Sequence, residues 1–432
     1  MERSPVNINR RSLLALPGLV ATAAFLAACG DDKEPETTGP VKLRFLSLAW
    51  QKESLAANKQ IVDDWNKANP DIQIEYVQGD WNSVHDQLLT SFEGGDAADI
   101  IHYESAALGE FAKQGYLADL SSLIPAEFKA EISDKVWQTV TVDGKVVGVP
   151  FLLESQVVLA NKKLLDAAGI TVPAANAPWT WDEFAANAKK LTKPGQYGVA
   201  WALKSPTNRV MNLALNYDGA FFYEEGGKWT VKVGDGEKAV PQRIHDMVYV
   251  DKSASPEALS FGSTDPLPGF FGGKYAMLPG SIYLRQQMIE QAPKDFEWVT
   301  LPALKGTSQN QAANPQTISI SEDSKAKTQA MKFIANFLNA TNMAKLAHGD
   351  WLVPTGKAAG AQLVQSTQGK QGWDVAVASA DTLVQAPFQR ATGYPEWKSK
   401  IATPALQQYF ANKISIDQLA KTLEDGGKQV LK

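Results

Sequence analysis

Val41-Lys42-Leu43-Arg44-Phe45-Leu46 opens the part of the chain that decides the fold: apolar and charged side chains alternate and then turn apolar, as in a strand with one face buried. Working outward, residues 54–68 carry apolar side chains at helical spacing through Leu55, Ile61, Val62 and Trp65. Asn69-Pro70-Asp71 ends that helix, because proline lacks the amide hydrogen and clashes with the preceding turn. Ile72-Gln73-Ile74-Glu75-Tyr76-Val77 alternates as a second strand, residues 84–92 make a second helix closed by Gly94-Gly95, and Asp99-Ile100-Ile101-His102-Tyr103 is a third strand. This alternation predicts an α/β fold with a parallel sheet covered on both faces. It returns downstream with strands over 146–149, 197–202 and 275–278, a helix over 180–191 capped by Thr180 or Asp182, a helix near 324–338 and a C-terminal helix over 416–430. No internal repeat interrupts it.

Upstream of Val41 the sequence reads as an address. Arg10 and Arg11 precede an apolar stretch from Leu13 to Ala28, too short and too rich in small residues for a comfortable membrane span, so residues 1–28 are expected to be a signal peptide. Leu26-Ala27-Ala28-Cys29-Gly30 looks like a lipobox, and Cys29 is the only cysteine, which leaves no partner for an internal disulfide. Acyl chains on that thiol would anchor the protein to the outer face of the cell membrane without threading it through. Asn9-Arg10-Arg11-Ser12-Leu13-Leu14 also resembles a twin-arginine export signal, although two arginines equally suit an ordinary leader. Residues 29–40, with acidic residues, two prolines and no large apolar side chain, are expected to be a flexible tether.

Composition narrows the partners. The chain has 42 basic and 47 acidic residues, a net charge of −5, and the leader holds three of the basic residues against one acidic, so the remainder is more negative still. Nucleic acid is therefore disfavoured as a partner. About 400 residues exceed what one hydrophobic core usually serves, which predicts two domains. Twelve tryptophans are many, and indoles in excess serve either large cores or surfaces that stack on flat apolar ligand faces.

Five further stretches carry a family resemblance. They are Phe92-Glu93-Gly94-Gly95-Asp96-Ala97-Ala98-Asp99-Ile100-Ile101, Glu110-Phe111-Ala112-Lys113-Gln114-Gly115-Tyr116-Leu117-Ala118-Asp119-Leu120, Asp143-Gly144-Lys145-Val146-Val147-Gly148-Val149-Pro150-Phe151, Asn161-Lys162-Lys163-Leu164-Leu165-Asp166-Ala167-Ala168-Gly169-Ile170 and Trp179-Thr180-Trp181-Asp182-Glu183-Phe184. In this order the chain resembles the extracellular solute-binding proteins of ABC importers, in the sugar-binding branch that includes maltose-binding protein. The resemblance implies a two-lobed periplasmic-binding-protein-like fold of type II, with a hinge between the lobes and the ligand in the cleft. It places lobe 1 in residues 41–150 and 313–355 and lobe 2 in 151–312 and 356–432, with passages near 150–154, 312–317 and 354–358. It also implies a carbohydrate ligand, a partner permease in the membrane, a monomer, and no cofactor or catalysis.

A sugar offers apolar C–H faces and a rim of hydroxyls, so its site needs aromatic platforms beside carboxylates and amides. In open α/β sheets such residues follow the carboxyl ends of strands. Trp50 follows the first strand, Trp81 sits in a loop before a helix, and Tyr103 and Glu104 end the third strand; Tyr103 matches a family aromatic that contacts sugar. Glu154, with Asn161 seven residues on, matches a ligand-binding carboxylate of the maltose-binding branch. Asn216 and Tyr217 lie where relatives often carry an amide or aromatic facing the cleft, and Tyr283 holds a position usually occupied by tryptophan. Asn314 and Gln316 sit at the return passage, Trp351 precedes Pro354, and Arg390 precedes Gly393-Tyr394-Pro395. For each, a packing or solvated role is the alternative.

A secreted glycan hydrolase is the rival class, since two carboxylates can cleave a glycosidic bond, but acidic residues this numerous pair by chance. The chain has no G-x-S-x-G elbow, no H-E-x-x-H and no Walker A loop, and its four histidines are scattered, so no metal site is expected.

Overall fold

The computed structural model describes residues 39–431; the leader and Cys29 lie outside the described residues. In chain order the strands that matter here are β1 (Val41–Ser47), β2 (Ile72–Gln78), β3 (Ile100–Glu104), β4 (Val149–Leu153), β5 (Gln156–Asn161), β6 (Tyr197–Val199), β7 (Tyr275–Ser281), β8 (Trp298–Leu301), β9 (Gln311–Ala312), β10 (Gln316–Ile320), β11 (Val353–Pro354) and β12 (Leu383–Val384). They form two main sheets, ordered β11-β4-β10-β3-β1-β2 and β8-β5-β7-β6, while β9 and β12 pair with each other between them.

The first sheet is parallel where the sequence alternates most regularly: β1 runs alongside both β2 and β3. Helix Lys52–Ala68 covers it, burying Ile61, Val62 and Trp65 on one side, and the Trp65 indole N–H donates to the Ile72 carbonyl, tying the helix end to the next strand. An all-parallel sheet is not what forms. β10 runs antiparallel to β3 and β4, and β11 antiparallel to β4. The physical reason is connectivity. β10 enters the first sheet coming back from the second, so it starts at the edge where β3 and β4 end.

The second sheet shows the same logic in reverse. β5 leaves the first sheet and enters at the matching edge, antiparallel to β7 and β8, whereas β7 and β6 are parallel. One of its covering helices, Trp181–Leu191, starts with a capping box: the Thr180 hydroxyl accepts from the Glu183 amide and the Glu183 carboxylate accepts from the Thr180 amide. The C-terminal helix Ile416–Val430 begins the same way with Ser415 and Gln418.

Two cores follow from the two sheets. Phe45, Ile100, Phe151, Ile318, Phe333 and Leu346 pack around the first, and Leu165, Trp181, Phe184, Val199, Met277 and Leu423 around the second. The chain passes from one core to the other at Glu154–Ser155 and at 313–315. The third passage lies later than the sequence suggests. Ala359, Leu363, Trp373 and Leu383 pack in the first core, and only from Ala386 does the chain join the second, so the passage falls at 384–386 rather than 354–358. The cause is helix Lys357–Thr367, whose buried Ala359, Gly360 and Leu363 face the first core instead of the second.

Candidate functional site

Strand direction puts the ends of β1, β3 and β4 and the start of β10 on one edge of the first sheet, because Gln316 pairs with both Glu104 and Leu152. The second sheet presents a matching edge, where the end of β7 meets the start of β5 in the Ser281–Gln156 pair. The chain crosses between these edges at Glu154–Ser155. A groove therefore lies between two rows of strand ends, the place where open α/β sheets bind ligands.

On the first edge Trp50 is 60% exposed, the most open indole among the exposed large apolar side chains. Trp81 lies tilted over Tyr103 with ring centres 6.0 Å apart and meets the His102 ring edge-on at 5.6 Å. Tyr103 is buried, with its hydroxyl 3.5 Å from His85 Nδ1; burial, together with Glu104, Glu110 and Asp86, raises its phenol well above the ordinary value. Glu104 accepts from Asn314 Nδ2 at 2.8 Å, and Asn314 Oδ1 accepts from Ser105 and from the Ala106 amide. The hinge amide thus orients the carboxylate.

His102 is held between two partners. The Leu48 amide donates to its Nδ1, which leaves Nε2 to donate to Gln316 Oε1 at 2.9 Å. Burial pushes the imidazole down to about 4, so it stays neutral and fixes one face of the Gln316 amide.

Glu154 is exposed at the first passage between the two sheets. Loss of hydration raises its carboxyl above the ordinary value and Glu104 adds to the rise, while the nearby Ser281 hydroxyl, itself without a hydrogen-bond partner, and Arg209 pull the other way. Tyr283 is raised by burial and by Glu154. Arg209 donates from Nη1 to the Ala202 carbonyl at 2.6 Å, and burial brings its guanidinium down to about 10 against the pull of Tyr283 and Glu154. From the other side of the groove Tyr394 and Lys398 feel Glu104: burial raises the first and lowers the second.

The structure therefore brings Trp50, Trp81, Tyr103, Glu104, Glu154, Tyr283, Asn314 and Gln316 to the facing edges. It does not bring the remaining candidates there. Asn216 is fully buried, its Oδ1 accepting from the Trp181 indole and its Nδ2 donating to the Asn310 carbonyl, so its amide is spent on packing. Tyr217 lies beneath Arg243, 5.3 Å from the guanidinium, on the helical side of the second core. Trp351 is 5% exposed and enclosed by Trp373 and Arg285. Arg390 pairs with Glu224 and lies over Trp229, on the hairpin made by Phe222–Glu225 and Lys228–Val231.

Arg209, Tyr394 and Lys398 join the groove without having been singled out in the sequence. The one available signal was Gly393-Tyr394-Pro395, a turn into a short helix that holds Tyr394 in place. A different groove, of about 570 Å³, opens between Trp65, Asn69 and Asn339 at the opposite edge of the first sheet. Its amides are largely spent within the fold: Asn69 donates to the Trp65 carbonyl, Asn342 to the Asn336 carbonyl, and Asn339 accepts from the Asn342 amide. Size alone does not mark the site. Among the described residues no group of three or more His, Cys, Asp or Glu is placed to hold a metal ion.

Two α/β halves with facing strand ends and three short connections define a bilobal binding protein. The chain belongs to the bacterial extracellular solute-binding proteins, a family whose sequence profile matches residues 49–344. It is 47% identical over 407 residues, covering 94% of this chain and 89% of the relative, to a protein described as an uncharacterized lipoprotein in the oleD 5' region of Streptomyces antibioticus. It is 21% identical over 435 residues, 98% of this chain and 97% of the relative, to the diacetylchitobiose binding protein DasA of Streptomyces coelicolor. Among solved structures, the sugar-binding protein MalE from the phytopathogen Xanthomonas citri superposes with a TM-score of 0.78 at 19% identity, covering 90% of this chain and 97% of that one, a likeness of fold. No described helix is long and apolar enough to cross a membrane.

Proposed function

We propose that this protein is the substrate-binding lipoprotein of an ABC importer, anchored through Cys29, and that it captures a carbohydrate of two or more rings between its lobes. The first lobe comprises residues 41–153 and 316–383, the second 156–312 and 386–431. The observation that carries the reading is an exposed indole at Trp50 and a part-buried carboxylate at Glu104 on the edge of the first sheet, together with the exposed carboxylate of Glu154 at the first passage. Indole and phenol faces suit the C–H side of a pyranose. Carboxylates and the Asn314 and Gln316 amides suit its hydroxyls, and a hydrogen bond to a charged group contributes about 1.5–3 kcal/mol.

The mechanism is closure. A sugar that touches Trp50 and Glu104 on one lobe and Tyr283, Arg209 or Lys398 on the other binds the closed form better than the open one, and shifts the population by that difference. The permease then reads the closed form. No bond in the sugar is broken.

Calorimetric titration with maltose, maltotriose and diacetylchitobiose, followed by mass analysis of the recovered sugar, tests this. Capture predicts saturable heat, an unchanged sugar and a melting temperature that climbs with ligand as RT ln(1 + [L]/Kd). Shortened sugar would instead favour a hydrolase. Silence across an extended panel of mono-, di- and oligosaccharides would remove carbohydrate as the ligand class.

A further inference from the structure

Arg285 is fully buried, in helix Leu284–Gln291 just after β7 of the second sheet. Its guanidinium nevertheless sits among residues of the first core. It lies 4.1 Å from the Trp373 ring centre and 5.3 Å from that of Trp351, and the two indoles are stacked 5.2 Å apart at 24°. His348 continues the stack on Trp373 at 5.5 Å. Nη2 donates to the Trp351 carbonyl and Nη1 to the Gln371 carbonyl, both at 3.2 Å, while Nε donates to the carbonyl of Ile282, in the turn just before its helix.

Among the described residues no carboxylate forms an ion pair with this cation; Asp374 acts on it only at longer range, and burial brings the guanidinium down to about 9. Burying a charge against carbonyls and rings alone is costly. A stability role would be met more cheaply by an apolar side chain of similar volume, so the position asks for something that only a planar cation supplies.

Its location says what. Ile282, three residues before Arg285, donates its amide to the Ser155 carbonyl in the first passage between the lobes, and the Ser379 hydroxyl donates to that of Ser155. Close by, Gly372 approaches Thr300 of β8 so tightly that a β-carbon would lie 2.3 Å from its hydroxyl oxygen, and its φ of +75° favours glycine in any case. The arginine is thus embedded beside the line about which the halves must turn. Atoms near a rotation axis move little, so a flat guanidinium held there by carbonyls and stacked on indoles can keep its contacts while the halves turn around it.

We propose that Arg285, clamped by Trp351 and Trp373, is the pivot of lobe closure: a positioning residue that fixes the axis of the hinge without touching ligand. This rests on the closing motion proposed above, but the test needs no sugar. In the whole chain carrying Cys29→Ser, spin labels on Lys67→Cys in the first lobe and Lys228→Cys in the second report the interlobe distance distribution by pulsed electron resonance.

Arg285→Met is expected to widen that distribution at least about twofold relative to the labelled parent, because the hinge loses its fixed axis. Arg285→Lys, which keeps the charge but not the plane, should widen it less and decides the matter should the methionine variant not fold. A lowered melting temperature with unchanged width in the folded variants would make Arg285 a packing residue only and overturn the pivot. A parent distribution that does not shorten with maltotriose bears on the sugar, not on the pivot, since the variant comparison is made without ligand.

Discussion

At the groove, Trp50, Trp81 and Tyr103 stand with Glu104, Glu154 and Arg209; behind the hinge, Trp351, Trp373 and His348 stand with Arg285. The residue types are alike and their states are opposite. Behind the hinge both indoles are covered and the arginine directs three donors at carbonyls. At the groove one indole is open, and Glu154 has around it only a serine hydroxyl and distant charges. Aromatic rings beside charged groups therefore do not by themselves locate a site. Unspent hydrogen-bonding capacity next to an open ring does.

Truncating the closed cluster should give the largest effect. Trp351→Ala removes one wall of the Arg285 clamp and leaves a cavity, costing roughly 3–5 kcal/mol of stability in a denaturant titration. Trp351 also adopts a left-handed backbone at φ 55°, which places its ring over Arg285 at the end of helix Ala340–Asp350, so the substitution loses that geometry too. A variant as stable as the parent would mean that the two regions do not differ in the way described.

Next to that cluster, Asp350 offers a pH readout. Burial pushes its carboxyl up to about 7 from an ordinary 3.8, with Ser54 opposing. In the unfolded chain the proton leaves near pH 4, whereas the folded chain keeps it to about 7, so this group makes stability fall as pH rises through that window. His102 acts in the opposite sense: its neutral buried ring makes stability rise between about 4 and 6.5. The two partly offset in the parent, which is why the comparison must be with Asp350→Asn. That variant should gain roughly 2–4 kcal/mol on the parent between pH 4 and pH 8. A constant difference across the range would exclude a raised carboxyl.

Within the groove, Glu154→Ala should weaken whichever saccharide titrates by about 10- to 100-fold, the value of a hydrogen bond to a charged group. The unliganded melting temperature should stay level, because the fold spends little on this side chain. Equal loss of affinity and stability would move Glu154 from the open set to the closed one.

How far the sequence discloses this contrast depends on what each feature requires. The strand at Val41, the helix stop at Asn69-Pro70 and the cap at Thr180 are local, and each is visible because a few neighbouring side chains decide it. Glu104 and Glu154 are visible because strand ends define an edge. Asn216 and Trp351 misled because an amide or indole near a strand end reads the same whether its partners lie in the protein or not; Trp181 and Asn310 use up the first, Trp373 and Arg285 enclose the second. Arg209 and Lys398 gave no local sign, since they reach Glu154 and Glu104 only after two sheets are assembled. The late third passage was hidden for a similar reason: helix Lys357–Thr367 chooses its core by packing, not by pattern.

Arg390 marks the boundary between the two states. It is exposed, it pairs with Glu224 at 3.0 Å across water-accessible surface, and its guanidinium lies 5.5 Å from the Trp229 ring centre. It is neither open toward the groove nor closed within a core. Exposed ion pairs contribute little because solvent screens them and ordering two long side chains offsets the attraction. Arg390→Ala is expected to leave saccharide affinity within about twofold and stability within roughly 0.5 kcal/mol. A larger loss of affinity with intact stability would bring the hairpin at Phe222–Glu225 into the binding surface, and the rule that unspent capacity marks the site would then need to include charges already paired at its rim.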